Sequence, residues 1–136
     1  MEKEVFTVNL EKVIREMKLD RLYYPNKEVL IDTADLNRPG LQITGFFDYF
    51  DPSRIQVFGM VENTYLAGLS SEVRYNSLKR LFEKQISAVI LTRNSNASAE
   101  MLKLAEEFET PMLRTSQPTS SFTSSLNAYL NVELAP

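Results

Sequence analysis

A short, continuously apolar segment between two helix-like segments constrains this chain more than any other feature. Residues 88–91 are all apolar, which is typical of a β-strand that is covered on both faces of its sheet. Residues 72–84 before it carry apolar side chains at helical spacing, and Ser98 after it precedes a second segment of this kind. A strand between two helices is the repeating unit of α/β proteins, so the sequence predicts a largely parallel sheet flanked by helices.

The same patterns divide the rest of the chain into strands and helices. Strands are predicted at 5–8, 29–31, 55–59, 88–91 and 112–113. Helices are predicted at 10–17 after an Asn9 N-cap, at 62–69 and 72–84, after Ser98, and around 122–130. In the helix at 62–69, Tyr65, Leu66 and Leu69 are expected to face inward. The predicted fold class is therefore α/β, with a largely parallel sheet of about five strands.

The side chains that the chain lacks exclude several kinds of chemistry. The 136 residues include no cysteine and no histidine, which removes the thiolate nucleophile, the imidazole base and the usual zinc sites. The net charge is −3 with both signs interspersed, which argues against a nucleic-acid partner. No apolar stretch is long enough to span a membrane or to act as a signal peptide. A cytoplasmic location is therefore expected.

Loops after the predicted strands are the places where a ligand site is expected. In parallel sheets, ligands usually bind beyond the carboxyl ends of the strands. Arginines stand in or beside these loops, and arginine suits carboxylate or phosphate binding, although surface ion pairs explain lone arginines more often. With the nearby carboxylates and a loop threonine, the candidate ligand-binding residues are Arg38, Asp48, Glu62, Thr92, Arg93 and Arg114. No catalytic or metal-binding residue is predicted.

An aromatic run stands out in the first half of the chain. Residues 46–51 read FFDYFD. Three interpretations are open: core aromatic side chains around a polar turn, a catalytic pair formed by Asp48 and Asp51, or an interaction surface. The first of these is favoured on general grounds, since a polar turn between core aromatic residues is common.

Gly40 and Gly45 match the first half of a phosphate-binding loop. The complete motif is G-x-x-x-x-G-K-[ST], but Phe46 and Phe47 stand where the lysine and the hydroxyl residue belong. The lysine and the hydroxyl make the contacts with phosphate and magnesium. The two glycines are therefore interpreted as residues that permit tight turns.

The segment 35–62 as a whole identifies a protein family much more specifically than any of its separate motifs does. Residues 35–50 read DLNRPGLQITGFFDYF, and RIQVFG follows at 54–59 with Glu62 after it. Together they closely resemble the N-terminal domain of bacterial HPr kinase/phosphorylase. The likeness continues at 88–94, 111–113 and 129–136, so it covers nearly the whole chain.

This resemblance implies a bifunctional parent enzyme. The family phosphorylates a serine of HPr, the phosphocarrier of the sugar phosphotransferase system, with ATP or pyrophosphate and magnesium. It also removes that phosphate by phosphorolysis, and so controls carbon catabolite repression. The family forms hexamers. Its catalytic machinery lies in a C-terminal P-loop domain, and its N-terminal domain resembles the first domain of Mur ligases.

For this chain, the resemblance implies a single N-terminal, non-catalytic domain over residues 1–136, with the P-loop kinase domain absent. The chain is then expected to be inactive alone, to hold no ATP or magnesium, to form homo-oligomers in the full-length protein, and to meet HPr only through the absent domain. A regulatory or assembly role is the leading hypothesis. One alternative is a sensor domain that binds a phosphosugar or a nucleotide sugar. Another is a stand-alone enzyme with Asp48 or Glu62 as its base.

Overall fold

The computed structural model describes residues 6–136. The strands are β1 (Val8–Asn9), β2 (Asp20–Tyr23), β3 (Leu30–Ile31), β4 (Leu36–Asn37), β5 (Ile55–Phe58), β6 (Val89–Leu91) and β7 (Met112–Arg114). The helices are α1 (Leu10–Met17), α2 (Gly40–Ile43), α3 (Met60–Ala67), α4 (Ser71–Phe82), α5 (Ala99–Glu107) and α6 (Thr119–Glu133). Over the described part of the chain, no helix combines the length and the apolar character that crossing a membrane requires.

The main sheet has five strands in the order β2-β7-β6-β5-β4. Strands β4, β5, β6 and β7 run parallel to one another, and β2 pairs with β7 in the antiparallel direction at one edge. This confirms the predicted α/β class with its largely parallel, five-stranded sheet. The predicted likeness to Mur ligases stays a prediction.

The membership of the sheet differs from the sequence prediction. The predicted strand at 29–31 corresponds to β3, whose one pairing among residues 6–136 is with β1 in a separate two-stranded sheet. The predicted strand at 5–8 meets β1 only at Val8, and Val5 lies outside the described residues. Strands β2 and β4 take the two remaining places in the main sheet. Both lie in polar or turn-rich sequence with no strand-like alternation. An edge strand is less covered by the rest of the protein than a central strand, so its sequence need not be apolar.

Alternation along the strands supplies apolar side chains to both faces of the sheet. Ile55, Val57 and Ile90 belong to one buried cluster, which also includes residues of α1, α6, β1 and β3. Phe58 and Leu91 belong to a second cluster, which includes residues of α2, α3, α4 and α5. The sheet is therefore the middle layer of three, as the apolar segment at 88–91 predicts.

Three helices start at a residue whose side chain accepts from the first turn, and the cap at Asn9 is as predicted. The side chain of Asn9 accepts from Glu11 N at 2.9 Å, and Ser98 Oγ accepts from Met101 N at 3.2 Å. Ser70 caps α4 in the same way. The prediction for the inner face of α3 is wrong at Tyr65, which is exposed, while Glu62 and Leu66 are buried.

The aromatic run is divided between the core and the surface. Phe47 and Phe50 are half-buried and meet edge to face, with ring centroids 5.7 Å apart, while Phe46 and Tyr49 are exposed. Gly45 has a φ of +106°, which confirms its interpretation as a turn glycine. The core interpretation therefore holds for only two of the aromatic side chains.

Phe46→Ala is expected to lower the free energy of unfolding by less than about 1 kcal/mol, because a half-exposed ring contributes far less than a buried one. Urea denaturation followed by circular dichroism measures the change. A loss of about 3 kcal/mol or more, which is typical of a buried phenylalanine, would contradict the exposed placement of this ring.

Candidate functional site at the carboxyl edge of the sheet

The carboxyl ends of β4, β5, β6 and β7 meet at one edge of the sheet, because these strands are parallel. Arg38 follows β4, Gly59 follows β5 and Thr92 follows β6. This carboxyl edge is where a ligand site is expected in an α/β fold. It brings several of the predicted site residues together.

Glu62 lies at the centre of the carboxyl edge. It stands in the first turn of α3, and only 5% of its side chain is exposed. Its Oε1 atom accepts from Arg38 Nη2 at 2.7 Å, from Arg38 Nε at 3.2 Å and from Gly59 N at 2.6 Å. A buried carboxylate requires such partners to offset the loss of water. Arg38 is 43% exposed, so the pair joins a buried anion to a cation that reaches solvent.

Gly59 permits the close approach of Arg38 and α6. A Cβ atom at this position would lie 2.6 Å from Arg38 Nη2 and 2.7 Å from Thr119 Oγ1. The glycine thus leaves space for the guanidinium and for the start of α6. Sequence reasoning placed Gly59 at the end of a predicted strand and assigned it no role. The signal that could have found it is the glutamate three positions after the glycine at the helix start, because a glutamate there can accept from the N-cap backbone N–H, which is one half of a capping box.

Two buried threonines connect the strands to α6. Thr92 Oγ1 and Thr119 Oγ1 lie 2.6 Å apart in a hydrogen bond, and Thr92 Oγ1 also donates to the Phe58 carbonyl at 3.3 Å. The backbone N–H of Thr92 donates to the same carbonyl at 3.1 Å. The hydroxyl of Thr92 is therefore engaged in contacts within the protein.

Three amide side chains beside Arg38 form a second polar group that sequence reasoning missed. Asn37 Nδ2 donates to Gln42 Oε1 at 3.1 Å and to Gln56 Oε1 at 2.7 Å, and Gln56 Nε2 donates to the Arg54 carbonyl. Gln56 is fully buried in β5. A polar residue between the apolar Ile55 and Val57 was the available signal. These bonds hold β4 against β5 and so position Arg38.

Arg93 stands at the same edge with an unusual backbone. Arg93 and Asn94 have φ values of 56° and 54°, and left-handed residues other than glycine are uncommon. The backbone N–H groups of the two residues donate to Gln117 and Thr115 carbonyls, each at 2.9 Å. Arg93 lines a groove of about 420 Å³, whose other lining residues are Met60, Asn63, Thr64, Ala67 and Ser95. Its exposed side chain has no ion pair within residues 6–136.

The remaining candidates lie apart from Glu62. Arg114 Nε lies 3.4 Å from Asp20 Oδ2 and its Nη1 lies 3.4 Å from Asn96 Oδ1, so Arg114 links the edge strand β2 to the sheet. Asp48 is exposed in the connection between α2 and β5. Asp51 Oδ1 accepts from the Ser53 hydroxyl at 2.6 Å and from Ser53 N at 2.9 Å, and these bonds lower the pKa of Asp51. The Asp51 side chain thus stabilises a turn. This structural use does not favour the interpretation of Asp48 and Asp51 as a catalytic pair.

The hydrogen bonds at the carboxyl edge hold the start of α3 against the ends of β4 and β5. Within residues 6–136, the hydrogen bonds to the Glu62 side chain come from Arg38 and Gly59. A carboxylate engaged by a guanidinium and a backbone N–H is an anchor for the first turn of α3. The ligand-binding role of the six candidate residues stays a prediction.

The comparison with family models and the comparison with individual proteins lead to the same family. A family model described as "HPr Serine kinase N terminus" matches residues 8–130. The chain is 41% identical over 132 residues to an HPr kinase/phosphorylase of Streptococcus uberis, a match that covers 95% of this chain and 42% of that protein. It is 37% identical over 134 residues to the HPr kinase/phosphorylase of Caldicellulosiruptor bescii, covering 97% and 43%. The chain therefore spans less than half the length of these relatives.

A solved structure shares the fold at low sequence identity. It contains the CBS and DRTGG domains of the regulatory region of Clostridium perfringens pyrophosphatase, complexed with the activator diadenosine tetraphosphate. The TM-score is 0.61 at 14% identity, over 87% of this chain and 45% of that chain. This likeness concerns the fold alone.

Proposed function

Because the chain belongs to the HPr serine kinase N-terminus family, we propose that it serves as the non-catalytic N-terminal domain of an HPr kinase/phosphorylase, with a regulatory and assembly role. The observation that carries the proposal is the family match over residues 8–130. In this proposal, residues 1–136 form one domain of a longer protein. Phosphoryl transfer belongs to the part of the protein that lies beyond the match.

The half-motif at Gly40 and Gly45 supports a non-catalytic role. In a phosphate-binding loop, a lysine and a hydroxyl residue after the second glycine contact phosphate and magnesium. Here Phe46 and Phe47 occupy those positions. At the carboxyl edge, Glu62 is already engaged by Arg38 and Gly59, which supports a structural use of that carboxylate.

The longer protein would act on HPr with ATP or pyrophosphate and magnesium through its C-terminal P-loop domain. In this proposal it is a cytoplasmic homo-oligomer that controls carbon catabolite repression, and this chain supplies contacts and regulation.

The purified 136-residue chain is expected to transfer no phosphate to HPr from ATP in the presence of magnesium. Mass spectrometry of HPr after incubation measures the transfer, and the full-length Streptococcus uberis relative is the positive control. Phosphorylation of HPr by this chain alone would overturn the non-catalytic assignment.

The regulatory and assembly role can be tested in the same relative. Deleting its matching segment is expected to change its oligomeric state or its kinase rate, and inserting this chain in place of that segment is expected to restore both. If the truncated relative keeps its assembly state and its kinase rate unaltered, the regulatory and assembly role is wrong.

A further inference from the structure

The arginines near the carboxyl edge differ in their ionic partners. Arg38, Arg74 and Arg114 each form an ion pair with an acidic side chain. The exposed side chain of Arg93 forms none within residues 6–136. A guanidinium can hold a planar anionic group through two parallel N–H bonds. Arg93 therefore keeps its donors available for an anion from solution.

The loop after β6 fixes the backbone of Arg93. The backbone N–H groups at 93, 94 and 95 donate to carbonyls of the protein at 2.9–3.1 Å. These bonds hold Arg93 and Asn94 in the left-handed conformation, with φ values of 56° and 54°. Because the backbone is already ordered, less conformational entropy is lost when a ligand binds to this arginine.

The cavity beside this arginine combines apolar and polar walls. We call it the Arg93 groove; its volume is about 420 Å³, and its lining residues are Met60, Asn63, Thr64, Ala67, Arg93 and Ser95. Among these described residues none is acidic. Met60 and Ala67 supply apolar surface, and a methionine side chain adapts to ligands of different shape. The groove thus offers one cation and an apolar wall to the same ligand.

Asn63 supplies a donor that the protein itself does not use. Its Nδ2 atom is buried and makes no hydrogen bond in the part of the chain that the structure describes, although the side chain as a whole is partly exposed. An unpaired buried donor costs free energy. The terminal torsion of asparagine is broad, so a rotation of the amide turns Nδ2 toward a ligand in the Arg93 groove and removes that cost.

We propose that the Arg93 groove binds a small organic acid that carries one carboxylate and an apolar part. The carboxylate accepts from the Arg93 guanidinium and from Asn63 Nδ2. The apolar part packs against Met60 and Ala67. This site goes beyond the function proposed above, because it assigns a ligand to this chain itself.

A phosphate ester fits the Arg93 groove less well than a carboxylate. Phosphate sites in α/β folds are built largely from backbone N–H groups, and those at 93–95 are already engaged within the protein. A phosphate ester also carries a charge of about −1.5 to −2 near neutral pH, whereas Arg93 is the one cation among the lining residues. The groove is therefore expected to prefer the carboxylate.

A matched series of ligands tests the class. In an NMR titration of the ¹⁵N-labelled 136-residue chain, hexanoate is expected to shift the backbone signals of residues 60–67 and 93–95 and to saturate at millimolar concentration, as for a ligand of few atoms. Hexanol lacks the charge and acetate lacks the apolar chain, so each is expected to bind about 10-fold more weakly. Hexyl phosphate is also expected to bind more weakly than hexanoate.

Three variants assign binding to the groove. Arg93→Gly removes the guanidinium and suits the positive φ, so it is expected to stay folded and to lose the saturable shifts. Asn94→Gly makes the same change at the neighbouring left-handed residue and is the matched control, expected to bind as the parent does. Asn63→Leu is expected to weaken binding about 5-fold but to raise the urea midpoint, because it removes an unpaired buried donor. A purely structural role of Asn63 would not give these opposite effects.

The absence of saturable shifts with hexanoate in the tens of millimolar would overturn this proposal. So would an Arg93→Gly variant that binds as the parent does, or tighter binding of hexyl phosphate than of hexanoate. None of these measurements involves phosphate transfer to HPr or the longer relative, so failure here is distinguishable from failure of the proposed function.

Discussion

Phe58→Ala is expected to lower the free energy of unfolding by about 3–5 kcal/mol, the usual cost of removing a fully buried phenylalanine ring. Phe58 is completely buried at the end of β5, in the cluster that joins the sheet to α3, α4 and α5. A domain of ordinary stability has about 5–15 kcal/mol in total, so this loss would bring the fold close to its limit. Urea denaturation followed by circular dichroism measures it.

A control variant separates the contribution of the Phe58 ring to stability from that of the backbone at this position. Phe58→Leu retains most of the apolar volume and is expected to cost less than about 1.5 kcal/mol. The Phe58 carbonyl, which accepts from Thr92, is present in both variants. If Phe58→Ala costs no more than Phe58→Leu, the ring is not the link between the sheet and the helix layer that its burial indicates.

The central part of the fold was predictable from the sequence because its elements follow simple periodicities. Strands β5, β6 and β7 are short segments that are mainly apolar, and α4, α5 and α6 have apolar side chains at helical spacing. Strand β2 reads DRLY and β4 has two residues in turn-rich sequence. Their place in the sheet depends on pairing with β7 and β5, and a single-sequence pattern contains no information on such distant partners.

The sequence predicted several residues of the candidate site, but it did not predict which of them contact one another. Arg38 and Glu62 were both named from the sequence, yet their ion pair depends on β4 joining the sheet, which the sequence did not reveal. The same reason applies to Arg114, whose partner Asp20 stands on the unpredicted strand β2. Thr119 and Gln56 were missed because their partners are distant in sequence and become neighbours only in the fold.

The family match also narrows the functional alternatives. It supports an N-terminal domain of HPr kinase/phosphorylase, and the relatives do not favour the alternative of a phosphosugar or nucleotide-sugar sensor. In the role proposed above, this domain helps to organise a larger enzyme. Such a domain needs a well-supported junction between sheet and helices, and the carboxyl edge provides one at Glu62.

Glu62→Ala is expected to lower the free energy of unfolding by about 3 kcal/mol, because a buried N–H that loses its acceptor costs about 1–3 kcal/mol and charge-assisted bonds are lost as well. The N–H of Gly59 is the buried donor, and Glu62 Oε1 is its acceptor at 2.6 Å. The guanidinium of Arg38 is partly exposed, so it regains water and adds less to the loss. Urea denaturation at neutral pH measures the total.

Two further variants assign this loss to its parts. Glu62→Gln keeps an oxygen acceptor for Gly59 and removes only the charge, so it is expected to cost about 1 kcal/mol. Arg38→Ala leaves the bond from Gly59 to Glu62 in place but removes the cation beside a buried carboxylate. It is therefore expected to cost more than Glu62→Gln, about 2–3 kcal/mol. Equal losses for Glu62→Gln and Glu62→Ala would mean that the charge, and not the acceptor for Gly59, holds the start of α3 at the carboxyl edge.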